Sequence, residues 1–120
     1  MAAHNELGEK GEDIAVRFLL NKGFELLDRN WRFGKDEVDI IATLADTLVV
    51  VEVKTRNTAF FGSPAQFVSK VKQRHLIRAA HAYIEKHQLD LEVRFDIIGI
   101  IIDARGEQVE HIEHAFLPKW

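Results

Sequence analysis

The 120-residue chain has no cysteine, which removes disulfides and thiolate metal sites and fits a reducing compartment. It has only two prolines, and no repeat, low-complexity segment or linker long enough to divide it. One domain, residues 1–120, is the expectation from length. No apolar run approaches the roughly 20 residues that cross a bilayer. The opening MAAHNELGEKGED lacks the basic and apolar regions of a secretory signal. A cytoplasmic protein without membrane association is therefore expected. Catalytic signatures are missing too: there is no phosphate-cradling P-loop and no Gly-x-Ser-x-Gly nucleophile turn. The six histidines do not suggest a metal site. His111 and His114 would fall on opposite faces of a strand, and His75, His81 and His87 recur every six residues.

The net charge of −3 disfavours a polyanionic partner, but the average conceals an asymmetry. Between Lys54 and Lys86 stand seven basic residues and one acid, Glu85, giving that segment +6 and the remainder −9. Lys70, Arg74 and Arg78 recur every fourth residue and so form a basic helical stripe.

Residues 9–22 place Ile14, Ala15, Phe18 and Leu19 on one helical stripe, closed by Gly23. Strands are expected at 24–33, at 37–43 after a Gly34–Asp36 turn, and at TLVVVEVKT. The last has the unbroken apolar run of a central strand. A loop, NTAFFGSP, precedes a long helix over 65–88; LEVRFDIIGIIID and a short EQVEHIE then complete the sheet. The order α-β-β-β-α-β-β predicts an α/β fold, a mixed sheet flanked by helices.

Charged residues inside the third strand require an explanation, because charges are costly to desolvate without compensation. Side chains two apart on a strand share a face, so Glu52 and Lys54 point together, as do Glu37 and Asp39. If the two strands are antiparallel neighbours across a short turn, Asp39 and Glu52 fall side by side. Two such carboxylates do not both ionise without help. A Mg²⁺ or Mn²⁺ ion supplies it, since Mg²⁺ takes oxygen ligands and often only one or two carboxylates. Lys54 would then orient water or stabilise a phosphate oxygen, which suits hydrolysis of a phosphodiester. Arg56, Arg74 and Arg78 could contact phosphates, and Arg29 and Arg32, flanking Trp31, could extend the path. Trp31 itself is expected in the core. Phe60 and Phe61, on the NTAFFGSP loop, are expected to pack beneath it.

Asp39, twelve intervening residues and Glu52-Val53-Lys54 resemble the PD-(D/E)xK nuclease motif, and the predicted order is similar to the restriction-endonuclease-like αβββαβ core. The resemblance implies that Glu12, on the first helix, joins the metal site. More closely, the chain resembles the YraN-like family of bacterial proteins, related to archaeal Holliday junction resolvases. Its matching pieces are Gly8-x-x-Gly11-Glu12-x-x-Ala15, Asn30-x-Arg32, Glu37 to Ala42, Val51-Glu52-Val53-Lys54-x-Arg56, Phe61-Gly62-x-Pro64, Lys72 and Arg94-Phe95-Asp96. This likeness implies that Lys72 faces the site, where it would join the residues that bind nucleic acid. Val38 stands where the superfamily has proline, and Asp36 where YraN-like proteins usually have glycine. The extra acid is expected to alter metal affinity or the turn.

The expected activity is that of a divalent-metal-dependent endonuclease acting on DNA, branched or damaged, with Glu12, Asp39, Glu52 and Lys54 as its catalytic group. A symmetric homodimer would suit cleavage of two strands. A nucleic-acid-binding module that keeps the fold without the chemistry is the alternative. A third reading is an interaction domain in which these charges form surface ion pairs of little energetic weight.

Overall fold

The computed structural model describes residues 5–58 and 68–118. Helix α1 (Glu6–Asn21) leads into β1 (Glu25–Phe33), β2 (Asp36–Leu44) and β3 (Thr47–Arg56). Helix α2 (Lys70–His87), β4 (Glu92–Asp103) and β5 (Gly106–Phe116) follow. The strands form one mixed sheet in the order β1-β2-β3-β4-β5. Every neighbouring pair is antiparallel except β3 and β4, whose parallel pairing follows from the crossover through α2. This is the α/β architecture expected from the sequence. The predicted Phe60 and Phe61 packing lies outside the described residues.

Local chemistry sets the helix ends. Asn5 caps α1, its side chain accepting from the amides of Leu7 and Gly8 at 3.0 and 3.3 Å. Gly23, at φ +92°, turns the chain out of the helix into β1. Ser69 caps α2 by accepting from the Lys72 amide at 3.1 Å, and Gln88 ends it in the left-handed conformation.

The helices cover opposite faces of the sheet. Ile14, Ala15 and Leu19 of α1 pack on Ile40, Val49, Val51, Ile98 and Ile100. On the other face Leu76, Ala79, Ala80 and Tyr83 of α2 meet Val38, Ile41, Leu48, Val50 and Phe95. Each large apolar side chain fully buried this way contributes about 1.5–3 kcal/mol. Trp31 packs against the second layer, edge-on to Tyr83, as expected of a core residue.

Two irregularities position the site. Val38 belongs to the layer under α2 and Ile40 to the layer under α1, although they stand two apart. The side-chain alternation therefore slips at Asp39, in the stretch where Asn30 of β1 takes φ +52°. In addition, β2 and β3 pair only from Ile40↔Val51 to Leu44↔Thr47. Beyond that point β2 stays with β1 as far as Asp36, and β3 stays with β4 as far as Arg56. The sheet forks between β2 and β3. The last strand is longer than the EQVEHIE segment expected. It runs on to Phe116 past a register shift between Phe95 and Ile97, with His114 at φ +51°. This irregularity breaks the alternation by which a strand is recognised.

Candidate active site at the fork of the sheet

Asp39 and Glu52 are the first residues past the last paired rung, and their carboxylates meet there. Asp39 Oδ2 accepts from the Val53 amide at 2.8 Å, supplying an acceptor where the fork has removed a strand partner. Burial first, then the negative charge of Glu52, push the Asp39 carboxyl up to about 7 from an ordinary 3.8. The Val53 amide and the Lys72 charge act in the opposite direction. Glu52 Oε1 is buried and receives no hydrogen bond from a donor among the described residues. Its contact with Asp39 becomes a hydrogen bond only when the pair holds a proton. Glu52 Oε2 lies 3.7 Å from Lys72 Nζ. An electron-rich, under-satisfied carboxylate pair of this kind fits a hard divalent cation.

Glu12 approaches from α1. The close seating of Gly11 against Thr55 of β3 brings that turn of helix onto the fork; a Cβ on Gly11 would lie 1.9 Å from Thr55 Oγ1. Glu12 Oε1 accepts from Arg29 Nη2 at 3.2 Å and from Asn30 Nδ2 at 2.9 Å. Burial, then the charge of Asp39, raise the Glu12 carboxyl above its ordinary range, against the pull of Arg29 and Asn30. Glu12 thus senses Asp39 electrostatically, while its own oxygen is held by β1. Among the described residues no three His, Cys, Asp or Glu side chains are grouped tightly enough to hold a metal ion by themselves. An ion here would rest on the Asp39–Glu52 pair and complete its shell from water and backbone oxygen.

Lys54, Arg56, Arg32, Glu37, Glu12 and Asp39 line one cleft of roughly 790 Å³ at the fork. Arg32 Nη2 pairs with Glu37 Oε2 at 3.0 Å on its rim, and Arg56 is exposed there. Lys72 reaches the site from the α2 side of the sheet. Arg74 and Arg78 do not join the cleft; they line a separate groove with Ile77 and Leu117.

Asp36 is committed to α2, so of the two expectations for this extra acid, altered metal affinity or an altered turn, its contacts bear on the start of β2. It is buried and held by Arg78, at 2.9 Å from Nε and 2.8 Å from Nη2, with His75 Nδ1 at 3.5 Å. The start of β2 is thereby tied to α2. Sequence reasoning missed Arg29 as the residue that holds Glu12, since no periodicity links positions 17 apart. It also missed a buried cluster on β4 and β5. Asp96 is gripped by Arg94 at 2.9 and 2.8 Å and by His111 Nε2 at 2.7 Å, with the His114 amide at 3.2 Å. Lys22 Nζ contacts the other ring nitrogen of His111 at 2.9 Å. No helix among the described residues is long and apolar enough to cross a membrane.

The profile of the uncharacterised protein family UPF0102 matches residues 11–100. A UPF0102 protein of Christiangramia forsetii is 51% identical over 116 residues, covering 97% of this chain and 98% of its own. One from Phocaeicola vulgatus is 45% identical over 118 residues, covering 98% of each chain. Another, from Porphyromonas gingivalis, is 42% identical over 118 residues, covering 97% of this chain and 87% of its own.

Proposed function

The chain belongs to the uncharacterised protein family UPF0102, and we propose that it is a divalent-metal-dependent endonuclease of the PD-(D/E)xK type, acting on DNA. The observation that carries this reading is the Asp39–Glu52 pair, two interacting carboxylates at an interrupted ladder with one oxygen lacking a donor among the described residues. Asp39 and Glu52 would hold Mg²⁺ or Mn²⁺, which supplies Lewis acidity and a bound water of lowered pKa. Lys54, two residues beyond Glu52 and lining a cleft with Asp39, orients the attacking water and offsets charge that develops on the phosphoryl oxygens. Glu12 adds negative potential, and its hydrogen bonds to Arg29 and Asn30 fix its orientation. Arg32 and Arg56 are the cations on the cleft that would meet backbone phosphates, which give affinity and position but not sequence preference.

The test is incubation of purified protein with plasmid and branched DNA in the presence of Mg²⁺. Nicking by the wild type that is abolished in a folded Glu52→Ala variant is the expected result. Equal cleavage by both would assign the activity to a contaminant. The alternative, a DNA-binding module without chemistry, is favoured by the engagement of Glu12 with β1 and the lack of a three-donor metal cluster among the described residues. Salt-dependent binding that survives EDTA and Glu52→Ala, with no cleavage, would establish that alternative.

A further inference from the structure

Lys72 occupies an unusual place on α2. Counting at 3.6 residues per turn, it lies one turn ahead of Leu76 on the stripe continued by Ala79, Ala80 and Tyr83. That stripe is the buried face of the helix, and Lys72 stands on its first turn. The exposed Lys70, Arg74 and Arg78 form a different stripe. The Ser69 cap on the Lys72 amide fixes the backbone from which the lysine extends. Its ammonium stands 3.7 Å from Glu52 Oε2, close enough for strong attraction and too far for a short hydrogen bond. Glu52 is 12% exposed at this contact and Lys72 is 37% exposed. The lysine therefore approaches the carboxylates from the helix side, with room to withdraw toward water.

We propose that Lys72 is a resident counter-cation, which neutralises the Asp39–Glu52 pair in the metal-free protein and is displaced when a divalent ion takes those carboxylates. The proposal rests on the metal-site reading given above for the ion, while its metal-free half stands without it. Two carboxylates facing each other in a partly buried site repel strongly, and one flexible ammonium relieves part of that repulsion. A doubly charged ion relieves it better, and the lysine then becomes a like charge beside the ion. Lys72 is a positioning residue on this account: it sets how tightly the pair binds metal and keeps the empty site folded. A lysine that served only to stabilise the helix would have neither property.

Two measurements test this. In EDTA, Lys72→Met, which keeps the stem and removes the charge, should lower the melting temperature of the wild type but leave Glu52→Gln unchanged. An equal loss in both backgrounds overturns the counter-cation. In calorimetric titration with Mn²⁺, Lys72→Met should bind roughly threefold or more tightly than wild type, and Lys72→Arg should return to the wild-type value. Unchanged or weaker binding by Lys72→Met overturns displacement. If neither wild type nor Lys72→Met takes up Mn²⁺, the metal reading falls together with displacement, and the EDTA comparison still decides the counter-cation.

Discussion

Asp39 donates no rung to the sheet yet completes one: its Oδ2 accepts the Val53 amide at 2.8 Å just past the last β2–β3 pair. The same carboxylate faces Glu52 and bears its charge. Structural support and chemistry are thus combined in one side chain, and substitutions can separate them. Asp39→Asn keeps an oxygen for Val53 and removes the repulsion, so in EDTA it should melt at or above the wild-type temperature. Asp39→Ala leaves that partly buried amide without its acceptor and should lose about 1–3 kcal/mol. Neither variant should be stabilised by Mn²⁺ as the wild type is, as thermal melts with and without the ion will show.

The acid dependence of stability should have two opposed components. The Asp39 carboxyl is raised to about 7 in the folded chain from an ordinary 3.8. The folded state therefore holds that proton more tightly than the unfolded state. Its contribution is fully present below 3.8 and is lost as pH rises through about 7. Asp96 has the opposite sign. Burial pushes its carboxyl up, but hydrogen bonds from His111 and Arg94 outweigh burial and hold it below its ordinary value. Its contribution is present above the ordinary carboxylate range and lost as pH falls through the lowered value. Urea midpoints measured against pH in EDTA should flatten on the neutral side in Asp39→Asn and on the acid side in Asp96→Asn.

Gly11→Ala should destabilise, although alanine is the better helix former by about 1 kcal/mol. The added Cβ would fall 1.9 Å from Thr55 Oγ1 and 2.7 Å from its Cγ2. Overpacking of that kind costs about 1–3 kcal/mol, and relief requires α1 to lift from β3. Glu12 sits on the next residue and would move with it. Adding Thr55→Ala should recover part of the loss in equilibrium unfolding.

DNA binding should discriminate between the two sets of basic residues. Arg56 lines the cleft, whereas Arg74 lines the separate groove on the α2 side. Arg56→Ala should weaken binding and reduce the salt slope of log K by about 1. Arg74→Ala should leave both nearly unchanged. Fluorescence anisotropy across a salt series checks this, and the reverse pattern would move the DNA path to α2.

Much of the architecture could be read from local pattern. The run LVVV demanded a central strand, and β3 lies at the middle of the sheet. The short turn between EVDIIAT and TLVVVEVKT brought Asp39 opposite Glu52, and the pair does interact. What could not be read depended on departures from period. The slip at Asp39 sends Val38 and Ile40 to opposite layers, and no propensity encodes it. The register shift opposite β4 disguised the length of β5. Asp36 looked like an addition to the acidic site because it is near Glu37 in sequence; its burial under Arg78 belongs to tertiary packing. The i, i+4 stripe of α2 drew attention to Arg74 and Arg78, and periodicity alone did not single out Lys72, which only the family resemblance pointed to.

The contact between Lys22 and His111 determines where one hydrogen atom resides. An ammonium has only protons to give, so the His111 Nδ1 at 2.9 Å must receive one. The ring's own hydrogen is thereby assigned to Nε2, where it faces Asp96 Oδ2 at 2.7 Å. A single tautomer links the end of the first helix, through the last strand, to the middle of the fourth. Exchanging that imidazole for a side chain of similar bulk but a single polar end would break the relay at one join or the other.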